Sequence, residues 1–225
     1  MILYIIHGWT YTIKPWDKTL GILEKAGIKV KMLKVPGLTE ASEKIFTIND
    51  YMKWADEQIP DGAIALGHSN GGRILLNLCK EKPEKLEHLI LLDSAGVYEP
   101  SFKKKVVEAV AKIGKPLKKI PIIDKVFHRI TGSTDYAKAP ENMKKTLQNM
   151  LESDKKLELS KVTTNTSILW GEKDTITPPR QAEKIHGSLA NSKLKFYKNW
   201  THAPYISHPE ELAKAIMVIL KEVEK

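Results

Sequence analysis

The chain has 225 residues, 42% of them apolar and 28% charged, enough to bury one domain or one and a half and too apolar to stay disordered. Its single cysteine, Cys79, excludes a disulfide framework and a multi-cysteine zinc site, and points to a reducing, cytoplasmic setting. The net charge of +9 is local: residues 101–160 hold thirteen Lys and one Arg against seven acids, a surplus of +7, in a stretch with no nucleic-acid motif. Its lysines alternate with apolar residues at helical spacing, so they read as solvated helix faces, with attraction of anionic substrates as the second reading.

In chain order, Met1 to Ile6 is an apolar run ending at His7-Gly8. It lacks the basic start and cleavage site of a signal peptide, and no run in the chain reaches membrane-spanning length. A helix follows from Pro15-Trp16, with Trp16, Leu20 and Leu23 recurring until Gly27. Ile28 to Val35 predicts a second strand ending at Pro36-Gly37, and Thr47 to Ile59 a second helix. The unit repeats with Ala63 to Leu66 and His88 to Leu92 as strands around a helix from Asn70 to Lys80. Strands alternating with helices imply a parallel sheet. After Pro100 the rhythm breaks into three helical stretches, 102–113, 122–130 and 141–153, each with one apolar face. It then resumes with a strand at Thr166 to Trp170, a helix at Pro178 to Leu189, a strand at Leu194 to Tyr197 and a last helix from Pro209.

Gly67-His68-Ser69-Asn70-Gly71 lies at the turn from the third strand into its helix, a G-x-S-x-G element. A sharp turn there strains the serine backbone and needs small neighbours, because a side chain at Gly67 or Gly71 would strike the adjoining strand or helix. A serine hydroxyl is a weak nucleophile until a histidine takes its proton and a carboxylate holds that histidine. Asp174 and His202 follow the last two predicted strands, and in a parallel sheet all strand C-termini share one edge. Asp93, after the fourth strand, competes with Asp174 for the carboxylate role. Taken singly, Ser69 would serve as a helix cap and His202 as a surface residue; in the order Ser69, Asp174, His202 they read as a catalytic set.

Four segments carry a family resemblance: His7-Gly8-Trp9, the turn from Gly67 to Gly72, Leu169 to Asp174 followed by Pro178, and His202 with Pro209. On these the chain resembles the α/β-hydrolase fold family over nearly its whole length. The resemblance implies Ser69 as nucleophile, His202 as general base and then acid, Asp174 as its orienter, and the backbone N–H groups of Trp9 and Asn70 as the oxyanion hole. It makes residues 1–100 and 161–225 the core and 101–160 a helical cap after the fourth strand. Because the chain begins at the strand bearing His7-Gly8, the expected sheet is minimal, six-stranded and parallel, with helices on both faces. Asn70 stands where many relatives carry a bulkier or more apolar residue.

His7 is expected to fix the oxyanion loop, His68 to pack below the site, and Trp9 and Trp200 either to wall an acyl pocket or to pack. Cys79 reads as a small hydrophobe. The other histidines show no ligand spacing, so neither metal nor cofactor is expected. The leading reading is a serine hydrolase cleaving small-molecule esters of short to medium acyl chain through an acyl-enzyme, with no nucleic-acid partner, no stable membrane insertion and the oligomeric state left open. A carbon–carbon hydrolase, an acyltransferase or a perhydrolase would use the same triad, the first with Arg73 or Arg129 near a substrate carboxylate. A non-catalytic ligand-binding protein comes last.

Overall fold

A computed structural model describes residues 1–98 and 140–224. Six strands, β1 (Ile2–Ile6), β2 (Lys29–Leu33), β3 (Ala63–His68), β4 (Leu86–Leu92), β5 (Thr166–Gly171) and β6 (Ser192–Tyr197), form one sheet in the order β2-β1-β3-β4-β5-β6. Every neighbouring pair is parallel. The central strands β3 and β5 are buried along their whole length, whereas the edge strands β2 and β6 expose alternate residues. This is why the inner strands read as continuous apolar runs and the edges do not.

Side chains alternate between two cores. Leu3 and Ile5 of β1, Ile64 and Leu66 of β3, and Ile90 and Leu92 of β4 face one side, where α1 (Asp17–Lys25) and α7 (Pro209–Val223) cover them with Leu23, Leu212, Ile216 and Leu220. Tyr4, Ile6, Ala65, Leu89 and Leu91 face the other, against α2 (Ile48–Gln58), α3 (Asn70–Glu81) and α5 (Pro179–Ser188). Each fully buried aliphatic side chain contributes about 1.5–3 kcal/mol. The doubly covered parallel sheet is the expected fold.

Differences from the sequence reading are local. The first helix opens with a 3-10 turn at Lys14–Trp16, set by Pro15. The second strand stops at Leu33, because the N–H groups of Leu38, Thr39 and Glu40 turn back onto the Val35 carbonyl. A four-residue helix, α6 (Pro204–Ser207), stands where no helix was expected; four residues carry too little periodicity to be read. Of the three helices after β4, the stretches 102–113 and 122–130 lie outside the described residues. The third is α4 (Glu141–Ser153), whose Met143, Leu147 and Met150 join the core beside Phe46. Thr146 Oγ1 accepts the Phe46 N–H at 2.9 Å, and Asn149 donates to the Phe46 carbonyl at 2.9 Å. Among the described residues no helix is long and apolar enough to cross a membrane.

The strand order reverses between β1 and β3, so the connections leaving these two strands diverge and open a crevice at their C-terminal ends. His7-Gly8-Trp9 and Ser69-Asn70 sit on its two lips. Close approach of α3 to β3 and β1 leaves no room at two glycines: a Cβ at Gly67 would lie 2.5 Å from Gly72 Cα, and one at Gly71 would run into the carbonyl of Ile6. Gly71→Ala is therefore expected to destabilise the fold by at least the ~1–3 kcal/mol of an overpacked core. Its denaturant midpoint, compared with that of Gly187→Ala, where a Cβ meets open space, measures this.

Candidate active site

β3 passes into α3 through Ser69, which holds φ +50° and ψ −116°, a backbone state that a non-glycine residue rarely adopts. The strain is held by hydrogen bonds on both sides: Ser69 N–H donates to the Leu92 carbonyl at 3.1 Å, and Ser69 O accepts from Ala95 N–H at 3.0 Å and Arg73 N–H at 3.2 Å. Ser69 makes no side-chain cap to α3. Its hydroxyl instead lies 3.0 Å from His202 Nε2, and His202 Nδ1 lies 2.8 Å from Asp174 Oδ2. With Nδ1 facing a carboxylate, the ring carries its proton there and leaves Nε2 as the acceptor for Ser69. Residues separated by 133 and 28 positions in sequence are thus in one hydrogen-bonded line.

Burial works against a charge on Asp174, but the charge and hydrogen bond of His202, the Thr177 hydroxyl at 2.7 Å and the Ile176 N–H at 2.7 Å outweigh it and hold the carboxyl below its ordinary range. Thr177 N–H adds a bond to Oδ1 at 3.0 Å. Thr177 was not singled out in the sequence; a threonine three residues past the aspartate, before Pro178-Pro179, was the available signal. Asp93 also ends a strand, but it does not take His202. Its Oδ1 accepts the Gly171 N–H at 2.8 Å.

His7 is buried, its Nδ1–H donating to the Gly8 carbonyl at 2.7 Å while Nε2 accepts from Thr39 at 2.7 Å, which ties the Gly8-Trp9 loop to the chain leaving β2. His68 lies under the triad: its Nε2–H donates to the His202 carbonyl at 2.7 Å, and burial drives its pKa down to about 3, so it is a neutral prop. The two tryptophans divide. Trp9 lines the cavity at Ser69, whereas Trp200 is buried, stacked 3.6 Å from Tyr197 and donating to Glu211 at 2.6 Å. Cys79 is buried in the core, where burial pushes its thiol up to about 12.

The cavity, about 60 Å³, has apolar walls from Trp9, Val97, Leu147, Leu151 and Ile176. Its lining also holds a buried charge pair. Arg73, one turn past Ser69, donates Nε–H to Asp154 Oδ1 at 2.7 Å, Nη2–H to Oδ2 at 2.9 Å, and Nη1–H to Asn70 Oδ1 at 2.5 Å. Both charges are buried, and the pair ties the end of α4 to the helix that carries the serine. Arg129, the other arginine considered for a substrate carboxylate, lies outside the described residues.

A parallel sheet with a strained serine turn at its switch point and a Ser-His-Asp line at its C-terminal edge defines a serine hydrolase of the α/β-hydrolase fold. The chain belongs to the family described as serine aminopeptidase, S33, whose model matches residues 1–207. It is similar to a pimeloyl-(acyl-carrier protein) methyl ester esterase of Neisseria meningitidis serogroup C, 28% identical over 94% of this chain and 90% of that one. Among solved structures, an alpha/beta hydrolase enzyme from the metagenome of lagoon sediments at Mar Chica, Morocco, is 23% identical with a TM-score of 0.72, over 100% of this chain and 92% of that one. The monoacylglycerol lipase of Paleococcus ferrophilus is 19% identical with a TM-score of 0.70, over 99% and 94%.

Removing one half of the Arg73–Asp154 pair strands a buried charge. Asp154→Ala is expected to cost about 3–5 kcal/mol, and the double variant Arg73→Met/Asp154→Leu to recover most of it. Chemical denaturation of the two variants beside the wild type reads the difference.

Proposed function

We propose that the protein is a cofactor-independent serine hydrolase that cleaves carboxylic esters of short to medium acyl chain. The observation that carries this reading is the Ser69–His202–Asp174 line opening into a small cavity whose described charged groups, Arg73 and Asp154, are bonded to each other. Ser69 Oγ attacks the ester carbonyl as His202 Nε2 takes its proton, and Asp174 holds the resulting imidazolium. The backbone N–H groups of Trp9 and Asn70 receive the oxyanion. Asn70 suits this because it is the first residue of α3, where an N–H has no acceptor within the helix and the helix dipole favours negative charge. His202 then protonates the departing alcohol. Water, deprotonated by the same nitrogen, attacks the acyl-enzyme, the carboxylic acid leaves, and Ser69 regains its proton.

The mutual pairing of Arg73 and Asp154 in the cavity lining supports a neutral ester over charged substrates. Arg73 is committed to Asp154, which argues against anchoring a substrate carboxylate for carbon–carbon cleavage; Asp154, the only acid among the described lining residues, is equally unavailable to hold the free α-ammonium of a peptide. Residues 101–160 serve in this proposal as a cap over the crevice, a role supported by α4 contributing Leu147 and Leu151 to the cavity wall. A reducing, cytoplasmic setting is supported by the single cysteine being a free, buried thiol.

Hydrolysis of p-nitrophenyl esters from acetate to palmitate, with wild type and Ser69→Ala in parallel, tests the reading. Activity peaking at a short or medium chain and falling at least about a thousandfold in the variant, with its melting temperature kept, is the expected result. Activity that survives in Ser69→Ala, or no ester hydrolysed despite labelling of Ser69 by a fluorophosphonate, would overturn it.

A further inference from the structure

Asp93 immediately follows β4. It is fully buried and holds φ +43°, so its position is enforced by the fold around it. Its N–H donates to the Leu169 carbonyl at 3.1 Å, its carbonyl oxygen faces Thr177 Oγ1 at 3.1 Å, and its Oδ1 accepts the Gly171 N–H at 2.8 Å. The other carboxyl oxygen, Oδ2, is buried and receives no donor. The Thr177 hydroxyl lies 3.1 Å from the Asp93 carbonyl oxygen and 2.7 Å from Asp174 Oδ2, and Gly171 bonds to both residues, its N–H to Asp93 Oδ1 and its carbonyl to the Asp174 N–H, so the two buried aspartates are neighbours. Two neighbouring carboxylates bring each other only lone pairs and like charge, whereas a single proton supplies the donor that both lack. Asp174 already accepts from Ile176 N–H, Thr177 N–H, Thr177 O–H and His202 Nδ1–H, an arrangement that suits an anion. The proton therefore belongs on Asp93.

We propose that Asp93 is held as the neutral acid and donates its O–H to Asp174, a positioning residue that fixes this carboxylate beneath His202 and tempers its charge. The role rests on the proposed Ser69–His202–Asp174 chemistry. Burial first, and the charge of Asp174 second, push the Asp93 carboxyl well above the ordinary carboxyl range. The titratable groups around it are Asp174 from the loop after β5, His202 beyond it from the loop after β6, Tyr205 of α6, and His68 at the end of β3 under His202. Burial raises the Tyr205 phenol to about 12 and lowers His68 to about 3, so both are neutral at working pH. The charges that matter are then those of Asp174 and, during turnover, His202. Because Asp93 accepts the Gly171 N–H and donates to Asp174, asparagine can replace it in both bonds, but leucine in neither.

Two measurements test this. The first is the acidic limb of the kcat/KM profile, which reports protonation of the base that receives the Ser69 proton. With a neutral Asp93, the limb of Asp93→Asn stays within about 0.3 pH unit of the wild type, while that of Asp93→Leu moves up by about half a unit or more, since an untempered Asp174 holds the histidine proton more tightly. A limb that moves down by about one unit in Asp93→Asn would mean that an anion had been removed, and an unmoved limb in a folded Asp93→Leu would mean that Asp93 does not act through Asp174; either overturns the proposal.

The second is stability against pH for Asp93→Asn, which needs no substrate and so separates failure of this inference from failure of the ester reading. A carboxyl whose native pKa is raised stabilises the fold below the ordinary carboxyl range, and that contribution drains away as pH rises toward the native value. Between about pH 4 and that value the wild-type unfolding constant should grow relative to the variant by up to about tenfold per pH unit. A difference that stays flat across this range would show that Asp93 is ionised in the native protein and would overturn the proposal even if Asp93→Leu fails to fold.

Discussion

The left-handed turn at Ser69 governs the architecture around it. A non-glycine residue at φ +50° costs about 1–3 kcal/mol, and it persists only where the surroundings leave no alternative. Here the Leu92 carbonyl holds the serine N–H, Ala95 and Arg73 hold its carbonyl, and the two flanking glycines let α3 lie against β1 and β3 without a side chain between them. Those same contacts require neighbouring strands to end level with the turn, which a parallel sheet with its switch point at β1 and β3 provides. The strain at one residue and the strand order of the sheet are two aspects of one geometric solution.

Charge is handled just as tightly. Near Ser69 the molecule buries two arrangements of ionisable groups and treats them differently. Arg73 and Asp154 cancel one another through a two-bond contact and leave no unpaired charge among the described lining residues of the cavity. Asp174 keeps its charge through four donors, and His68, directly under the histidine, is kept neutral by burial. One buried anion therefore stands against the His202 imidazole, in surroundings where its effect is little screened.

The periodicity of the sequence revealed much of this. Alternating strands and helices, the apolar continuity of β3 and β5, and the third helix after β4 were all legible, because each depends on local pattern and burial that local pattern reports. Less legible were features that depend on a handful of residues: the 3-10 turn at Pro15, the short helix at Pro204, and Thr39 and Thr177, which bond to His7 and Asp174 across loops. A threonine in a loop looks alike whether it binds water or a catalytic side chain.

From the sequence alone, the G-x-S-x-G turn and two candidate residues after later strands determined the class of chemistry, since only a few residue types can activate a serine and a parallel sheet brings its strand ends to one edge. Tertiary structure decided what sequence order left open. Asp93 and Asp174 both follow strands, and the pattern favours Asp174 without excluding Asp93; the loop after β5 carries Asp174 to His202, while Asp93 is turned to the Gly171 N–H. Likewise Trp9 came to the cavity and Trp200 to the core, and Arg73 found Asp154, 81 residues away. Those outcomes depend on distances between loops and packed helices, which arise only when the whole chain closes on its core.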